Sequence, residues 1–475
     1  MRAPGRQAHG TRVSEAAHSD DPAGPLDLPE YHPGASAVLS DAERWPTLDA
    51  AGIARLRRWR DHPHAPMWTH ATGDRMDAAT AASAALPLSL DGWLDAHLEI
   101  ARRLIHYREI DCLDLLEDFP PISRADLVAD VAAFVPLDAD LDQAVHGSSS
   151  GSTGAALVVP DDLEDNARTF HLLRDLVQRE GVTWEADPER MALAYVLLQR
   201  EAFTYVSLIT GFESMPMARL NLEASQWPTL EARAAFLADA NPQVITGDPA
   251  SLEALLDPDL AAAVHPLALF SGATALSAPL RAALERRFGC PVFDLYGLHE
   301  TRPIGVRTDS GPFRVLDRRV KVEILDAKGS SVPHGAVGEI TVTAGHNRFL
   351  PLVRYRTGDF GALVTLPDGG IGIAGLEGRE NTTFWSADGV AVPCVDLTQH
   401  LQAHGSRAWA VEQRGDGSVE ARIAGGDSVA VARALEALLP GVEVAVTDVG
   451  SVAALGSGKP RRYRSSASAA ATRLG

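Results

Sequence analysis

Between residues 191 and 297 the chain alternates short apolar runs with helical stretches, and no other feature restricts its fold as strongly. MALAYVLL (191–198), QVITG (243–247), LALFSG (267–272) and CPVFDLYG (290–297) have strand length, and 249–256 and SAPLRAALERRFG (277–289) read as helices between them. Such a βαβαβ succession predicts a parallel sheet with loops, which ligands prefer, at the carboxyl ends of its strands. After Gly305 the pattern changes to short paired strands, VKVEIL (320–325), GEITVTA (338–344), GALVTL (361–366) and GIGIAGL (370–376), with turns at DAKG and PDGG, which predicts antiparallel β structure. From about Glu380 onward a compact α+β unit is expected, with a hairpin at RGDG (414–417), a helix over 427–438 and a strand over 442–448.

Upstream, residues 1–40 are rich in Ala, Gly, Pro, His and Asp without apolar periodicity and read as a loose arm. From Asp91 the run DGWLDAHLEIARRLIHYRE has a capping Asp and apolar residues at Leu94, Leu98, Ala101, Leu104 and Ile105, the spacing of an amphipathic helix. FPPISRADL (119–127) reads as a turn followed by a helix capped by Ser123. HGSSSGSTGAALVVP (146–160) reads as a flexible loop running into a short strand, and Asp161 to Glu180 as a helix stopped by Gly181.

Composition narrows the function. A length of 475 residues suggests about three domain-sized units, and 45% hydrophobic residues supply a sizeable core. The net charge of −20 argues against a nucleic-acid binder or an anionic-membrane protein and favours small molecules or proteins as partners. The uncharged stretch Leu260–Leu280 holds His265, Pro266, Ser271, Gly272, Thr274, Ser277 and Pro279, so no spanning helix is expected. Residues 1–20 lack an apolar signal core, and Cys112, Cys290 and Cys394 are scattered, which makes the cytoplasm the expected compartment. Of 43 basic residues only Lys321, Lys328 and Lys459 are lysines. A lysine kept against that drift either does what arginine cannot, such as presenting a compact charge to a crowded reacting centre, or is there by chance.

Four motifs suit phosphate or sugar. Ser149-Ser150-Gly151-Ser152-Thr153-Gly154 offers four hydroxyls and backbone N–H groups that can wrap phosphate oxygens, although alone it equally describes a linker. Ala155 and Ala156 follow it where a Walker loop needs Gly-Lys-Ser/Thr. Gly147 to Gly151 also fits G-x-S-x-G, but the acidic DADLDQAV before it and a strand after it oppose a nucleophile elbow at Ser149. DLYGLHE (294–300) ends a parallel strand, where Tyr296 can present a flat face to a base, Asp294 a carboxylate to an amine and Glu300 an oxygen to Mg²⁺. RYRTGDF (354–360) sets Asp359 after a Thr-Gly turn, suited to two ribose hydroxyls or simply to capping the turn. LGSGKPRRYR (455–464) carries Lys459 on a Gly-flanked loop, or is a basic tail.

In that order and spacing, SSGSTG, DLYGLHE, RYRTGDF, GLEGRE and GSGKPRR resemble the signature series of the adenylate-forming enzymes, the superfamily of acyl-CoA synthetases, luciferases and nonribosomal adenylation domains. FPPISRADL, VITGDPASL and FLPLVRYRTGD make the chain more similar to the phenylacetate-CoA ligase branch, over roughly residues 90–465. The resemblance implies an α/β fold: a large N-terminal domain (41–377) of parallel α/β sheets plus an antiparallel β part, and a small, mobile α+β C-terminal domain (378–475) carrying the catalytic lysine, with the active site between them. It implies that Ser149 to Gly154 hold the ATP phosphates, that Gly272 and Ala273 line the adenine site, and that Tyr296 stacks on the base, within the run Asp294, Leu295, Tyr296, Gly297. Glu300 would bind Mg²⁺, Asp359 the ribose, and Arg379 ribose or phosphate beside the hinge at Asn381. Lys459 would be the catalytic lysine, a cation bridging an attacking carboxylate and the α-phosphate. Ser271, Leu298 and His299, with Phe203, Tyr205 and Phe212 of the central segment, are the substrate-pocket candidates, and each aromatic of that segment is equally a core residue.

The chain departs from the family at His299, where Ser or Thr is usual, at Asn381, and in the acceptor loop NTTFWSADGVAVP. The expected function is an ATP- and Mg²⁺-dependent, AMP-forming ligase that activates a small, aromatic acid and passes it to a thiol, coenzyme A first among them. Alternatives are an amine or carrier-protein acceptor, another oxyacid such as nitrite activated for attack by an aryl amine, or, in a different class, a non-catalytic nucleotide-binding relative. Partners are thus the acid and the acceptor, with no nucleic acid or membrane, on a monomer or homodimer. No further metal is expected, because His62 and His64 lie without ligand partners.

Overall fold

A computed structural model describes residues 39–88, 92–141, 144–150, 156–199, 202–344, 346–377, 382–456 and 462–467. The strands in chain order are a hairpin of β1 (Ala144–Ser150) and β2 (Ala156–Asp162), then β3 (Leu193–Leu197), β4 (Tyr205–Ile209), β5 (Met215–Asn221), β6 (Val244–Gly247), β7 (Ala268–Ser271), β8 (Val292–Leu298), β9 (Arg302–Arg307), β10 (Phe313–Val315), β11 (Val320–Leu325), β12 (Gly338–Ala344), β13 (Leu352–Thr365) and β14 (Ile371–Glu377). β3 to β14 form one sheet of twelve strands in the order β11-β12-β13-β14-β10-β9-β8-β7-β6-β3-β5-β4. The sequence reading treated the parallel and antiparallel parts as separate. They are continuous because β8 pairs parallel with β7 on one edge and antiparallel with β9 on the other.

The parallel strands alternate as burial on two faces requires. Val196, Ile245, Leu269 and Val292 face one cluster with Phe236, Leu252, Leu280 and Leu284 from the helices Leu230–Ala240, Pro249–Ala254 and Ala278–Phe288. Leu193, Val244, Phe270 and Phe293 face the other, against Leu173, Leu176 and Val177 of the helix Leu163–Arg179. That helix starts on its Asp162 cap and is followed by Gly181 at φ 76°, as its sequence indicated.

Four expectations change. The HGSSS half of the Gly/Ser segment is strand β1, paired antiparallel with β2, so strand leads to strand and the elbow reading of Ser149 fails. RYRTGDF lies inside β13, not after a turn: a register shift opposite Ile340, with Gly358 at φ 77°, makes a bulge that re-aims Asp359. The helix expected from Asp91 spans only Trp93–Ala101 with Gly92 as its N-cap, and Asp91 lies outside the described residues. It stops because Arg102 folds back to donate to Leu113 O and Asp114 O. Strands β4, β5, β9 and β10 are additional to the sequence reading: Pro216 interrupts β5, Pro303 and Gly305 interrupt β9, and β10 is only three residues long.

Beyond residue 381 follow a short hairpin, β15 (Thr383–Trp385) with β16 (Ala391–Pro393), and a four-stranded sheet of β17 (Ala408–Gln413), β18 (Val419–Ala424), β19 (Val444–Asp448) and β20 (Tyr463–Ser465) in the order β19-β18-β17-β20. Its core is separate, built from Trp409, Val411, Ile423 and Leu435. Polar contacts tie it to the large sheet's helices: Arg407 Nε forms an ion pair with Glu253 Oε1 (3.0 Å), Val452 N donates to Glu253 Oε2 (2.5 Å), and Ser277 donates to Arg407 O. Arg462 lies over the Trp409 ring and donates to Ala275 O at 2.5 Å.

His97, on the helix Trp93–Ala101, is 3% exposed, and its Nε2 lies 3.0 Å from Leu352 O. Burial holds this imidazole down at about 4 against an ordinary 6.5, and the carbonyl contact offsets only part of that. An unfolded chain therefore binds a proton here that the folded chain refuses. The stabilisation is complete above pH 6.5 and is lost as the pH falls towards 4, by about 3 kcal/mol. Denaturant titrations across that window should show a shallower pH dependence for His97→Gln than for the parent; identical slopes would remove His97 as the source.

Candidate functional site

The carboxyl ends of β6 and β7 meet at Gly247 and Ser271, and Ser271 stands opposite Asp294 of β8, which runs on to Leu298. The chain leaves β7 through Gly272, whose N–H reaches Gly247 O at 3.0 Å, and Ala273, held at φ 65° although it carries a Cβ. A non-glycine residue in this region is uncommon and marks functional turns. Ser271 itself is fully buried, and its hydroxyl has no partner among the described residues.

β8 turns into β9 through a register shift between Tyr296 and Gly297. A side chain at Gly297 would put its Cβ 2.4 Å from Arg302 O, so only glycine allows the two strands to close here. Closure presents Tyr296 and Glu300 to β13. The Tyr296 hydroxyl donates to Asp359 Oδ2 at 3.0 Å, and its ring lies edge-on to Phe313. Burial first and the Asp359 charge second push this phenol well above its ordinary value, so it remains a donor. Thr357 donates to Ile340 O and accepts from Asp359 N, which fixes the bulge. Glu300, 5% exposed, accepts from the Tyr355 hydroxyl at 2.5 Å, and Arg124 Nη1 lies 3.7 Å from the same Oε1.

His299 faces the hairpin: its Nε2 is 3.6 Å from Asp161 Oδ2 on β2, and Arg302 Nη2 is 2.7 Å from Asp161 Oδ1. Burial raises the Asp161 carboxyl, and the Arg302 and His299 charges oppose that rise. The Gly/Ser hairpin is thus tied electrostatically to the β8–β9 turn.

Other candidates are placed differently. Asp294, 1% exposed, gives its Oδ2 to Arg307 Nε (3.0 Å) and Nη2 (2.8 Å), with Arg281 at 3.9 Å. Its Oδ2 is thus a counter-ion for arginine, while its Oδ1 has no hydrogen-bond partner among the described residues. Leu295 points to the helix face of the sheet and Leu298 towards the core under Tyr355. Phe203 and Tyr205 stack at 16°, with His70 edge-on and the Arg219 guanidinium 3.6 Å from the Phe203 centroid. Tyr205, Arg219, Tyr195 and Thr246 share one register row across β4, β5, β3 and β6. Phe212 is excluded from a pocket wall: it is 1% exposed and packed against Trp184 in the core. Ser149 and Ser150 are described only as backbone of β1, while Gly151, Ser152, Thr153, Gly154, Arg379, Asn381 and Lys459 lie outside the described residues.

Sequence reasoning did not single out Arg124, Tyr355, Asp161 or Arg302, although the first two stand inside quoted motifs. The residues fit Mg²⁺ sparingly: the Tyr355 and Arg124 contacts to Glu300 both fall on Oε1 rather than Oε2, and this cation takes one or two carboxylates with substrate phosphates and water. Among the described residues no cluster of three His, Cys, Asp or Glu is placed to hold a metal, and no helix is long and apolar enough to cross a membrane.

The family AMP-binding enzyme matches residues 129–348. A phenylacetate-coenzyme A ligase of Pseudomonas putida is 26% identical over 272 residues, 54% of this chain and 60% of that protein. Its counterpart from Aromatoleum evansii is 26% identical over 232 residues, 46% of this chain and 50% of that protein. The chain thus matches three-fifths or less of these relatives' length. Among solved structures, a 2-hydroxyisobutyryl-CoA ligase in the postadenylation state, in complex with R3-HIB-AMP, superposes with a TM-score of 0.56 at 15% identity, covering 82% of this chain and 89% of that one, which establishes a shared fold.

The Asp294 cluster has a measurable signature. Asp294→Ala leaves the buried Arg281 and Arg307 without their counter-ion and should cost about 3–5 kcal/mol in chemical denaturation. A loss below about 1 kcal/mol would return Asp294 to a role in ligand binding.

Proposed function

We propose that this chain, which belongs to the adenylate-forming superfamily in its phenylacetate-CoA ligase-like branch, is an ATP-dependent, AMP-forming ligase that adenylates a small, aromatic carboxylic acid and transfers it to a thiol, with coenzyme A as the first acceptor. The observation that carries this reading is the convergence of DLYGLHE and RYRTGDF: Tyr296 meets Asp359, and Glu300 meets Tyr355, although some sixty residues separate the partners. The relatives' printed activity, phenylacetate-coenzyme A ligase, supports an aryl acid and CoA.

In this reading a carboxylate oxygen of the acid attacks the ATP α-phosphorus, the bond to the bridging oxygen breaks, and pyrophosphate leaves. The product is an acyl adenylate. A thiolate then attacks its carbonyl carbon, AMP departs, and the thiol proton passes to solvent. Tyr296 offers the base a face, and Asp359, aimed by the bulge, accepts from the ribose. The 149–154 segment donates to phosphate oxygens. Mg²⁺, held by Glu300, supplies charge neutralisation at the phosphates when bound. Lys459 contributes a compact cation where two anions approach. The boundary near residue 377 and movement of the C-terminal unit between the half-reactions belong to the same proposal, as does a cytoplasmic setting.

A second reading, with an amine as acceptor, is favoured by one observation: His299 replaces the usual hydroxyl residue and is held beside Asp161. Pyrophosphate and AMP release across aryl and alkyl acids, and nitrite with an aryl amine, each with and without CoA, separates the two. AMP release that rises with CoA, with a matching thioester mass, supports the first reading; release only with an amine or nitrite moves the chain to the second.

Lys459→Ala should abolish adenylate formation while leaving a supplied adenylate reactive towards the acceptor, and an unchanged adenylation rate would sink the lysine's assignment. Asp359→Ala should weaken ATP binding about 10-fold or more, the loss of a charge-assisted contact. Calorimetry showing unaltered ATP affinity would take that residue out of the site.

A further inference from the structure

The segment Phe119–Arg124 carries no role in the chemistry above, yet it is fastened to β13 with unusual density. Ile122 bridges Tyr355 in parallel: Ile122 N donates to Arg354 O (3.1 Å), and Arg356 N donates to Ile122 O (2.7 Å). Arg354 holds the other side, donating from Nη1 to Phe119 O and Glu117 O and pairing both arms of its fork with Glu323. It does so at φ 49°, a conformation that costs a non-glycine residue energy and persists only where its surroundings impose it. Ser123 then starts a helix, with its N–H and hydroxyl both donating to Asp126 at 2.7 Å, which fixes the direction in which Arg124 leaves the backbone.

The brace therefore sets two side chains that converge on one atom. The Tyr355 hydroxyl and Arg124 Nη1 both address Glu300 Oε1, at 2.5 and 3.7 Å, in surroundings where Tyr355 is 1% exposed and the Arg124 and Glu300 side chains are 15% and 4% exposed. Both of these contacts fall on Oε1 and neither on Oε2. A neutral donor fixes the orientation of the carboxylate. A guanidinium beside it competes, by charge, with any other cation for the same group.

We propose that Tyr355 and Arg124 are opposed positioning residues for Glu300: Tyr355 turns Oε2 to the metal side, and Arg124 weakens the carboxylate's hold on a divalent cation. This rests on the reading of Glu300 as a Mg²⁺ ligand in an ATP site. The two substitutions should shift metal dependence in opposite directions, which general loosening of the fold does not do.

The test measures ATP binding to the full chain by calorimetry at a series of Mg²⁺ concentrations and again in EDTA, with thermal unfolding of each variant. Tyr355→Phe, which removes only the hydroxyl, should raise the Mg²⁺ concentration for half-saturation about 10-fold while ATP affinity in EDTA stays within about twofold. Arg124→Gln should lower that Mg²⁺ concentration about threefold or more, and it carries the test alone if Tyr355→Phe melts too early to assay. Unchanged Mg²⁺ dependence in the variants, or shifts in the same direction, overturns the inference while leaving the ATP site intact. Absence of Mg²⁺-dependent ATP binding in the parent chain would remove the functional reading and this inference with it.

Discussion

The structure depends on the close approach of two strands at Gly297. There β8 leaves the parallel half of the sheet and finds an antiparallel neighbour, and the absence of a side chain lets Arg302 O come near enough to close the turn. Everything that distinguishes the candidate site follows from this closure. It orients Tyr296 and Glu300 on one side of the junction, and it brings the antiparallel strands, with their bulge at Asp359, against the ends of the parallel ones. A sheet of two separate halves would leave these groups on independent bodies.

Arginine supplies most of the electrostatic framework behind that junction. Arg319–Asp165, Arg302–Asp161 and Arg354–Glu323 pair across elements distant in sequence, Arg307–Asp294 joins the consecutive strands β8 and β9, and the carboxylates are buried or nearly so. Burying such charges costs several kcal/mol per ion, so these pairs add specificity of register more than net stability. The planar fork of arginine suits the role, since one side chain can bind a carboxylate and a carbonyl together, as Arg354 does. An arginine-rich composition thus becomes a set of ties between layers, and it throws the single lysine near the C-terminus into relief.

Much of the fold was legible because period-two burial and helix caps are local signals. β3, β6, β7 and β8, the helix Leu163–Arg179 and the hairpin between β17 and β18 stand where patterning placed them. What escaped was decided by partners distant in the chain. β9 contains Pro303 and Gly305 and β10 is only three residues long, yet both are strands between β8 and β14, and the helix at Trp93 ends where Arg102 finds carbonyls eleven and twelve residues onward. At the site, the motifs marked Tyr296, Glu300 and Asp359, and the sheet brings those three into adjoining positions. The same motifs carried no sign that Arg307 would pair with Asp294 or that Tyr355 would cap Glu300, because pairing across strands leaves no trace in spacing along one strand.

The sheet's order also has an evolutionary side. Tyr205 stands on β4, the terminal strand, which joins the sheet through β5 alone, whereas Tyr296 on β8 and Asp359 on β13 stand on strands paired on both edges, with Glu300 in the turn that leaves β8. A packing change at Tyr205 therefore meets one neighbouring strand, while a change at Tyr296 or Asp359 meets two. The margin of such a sheet can repack while the frame on which Glu300 and Asp359 are mounted stays in place.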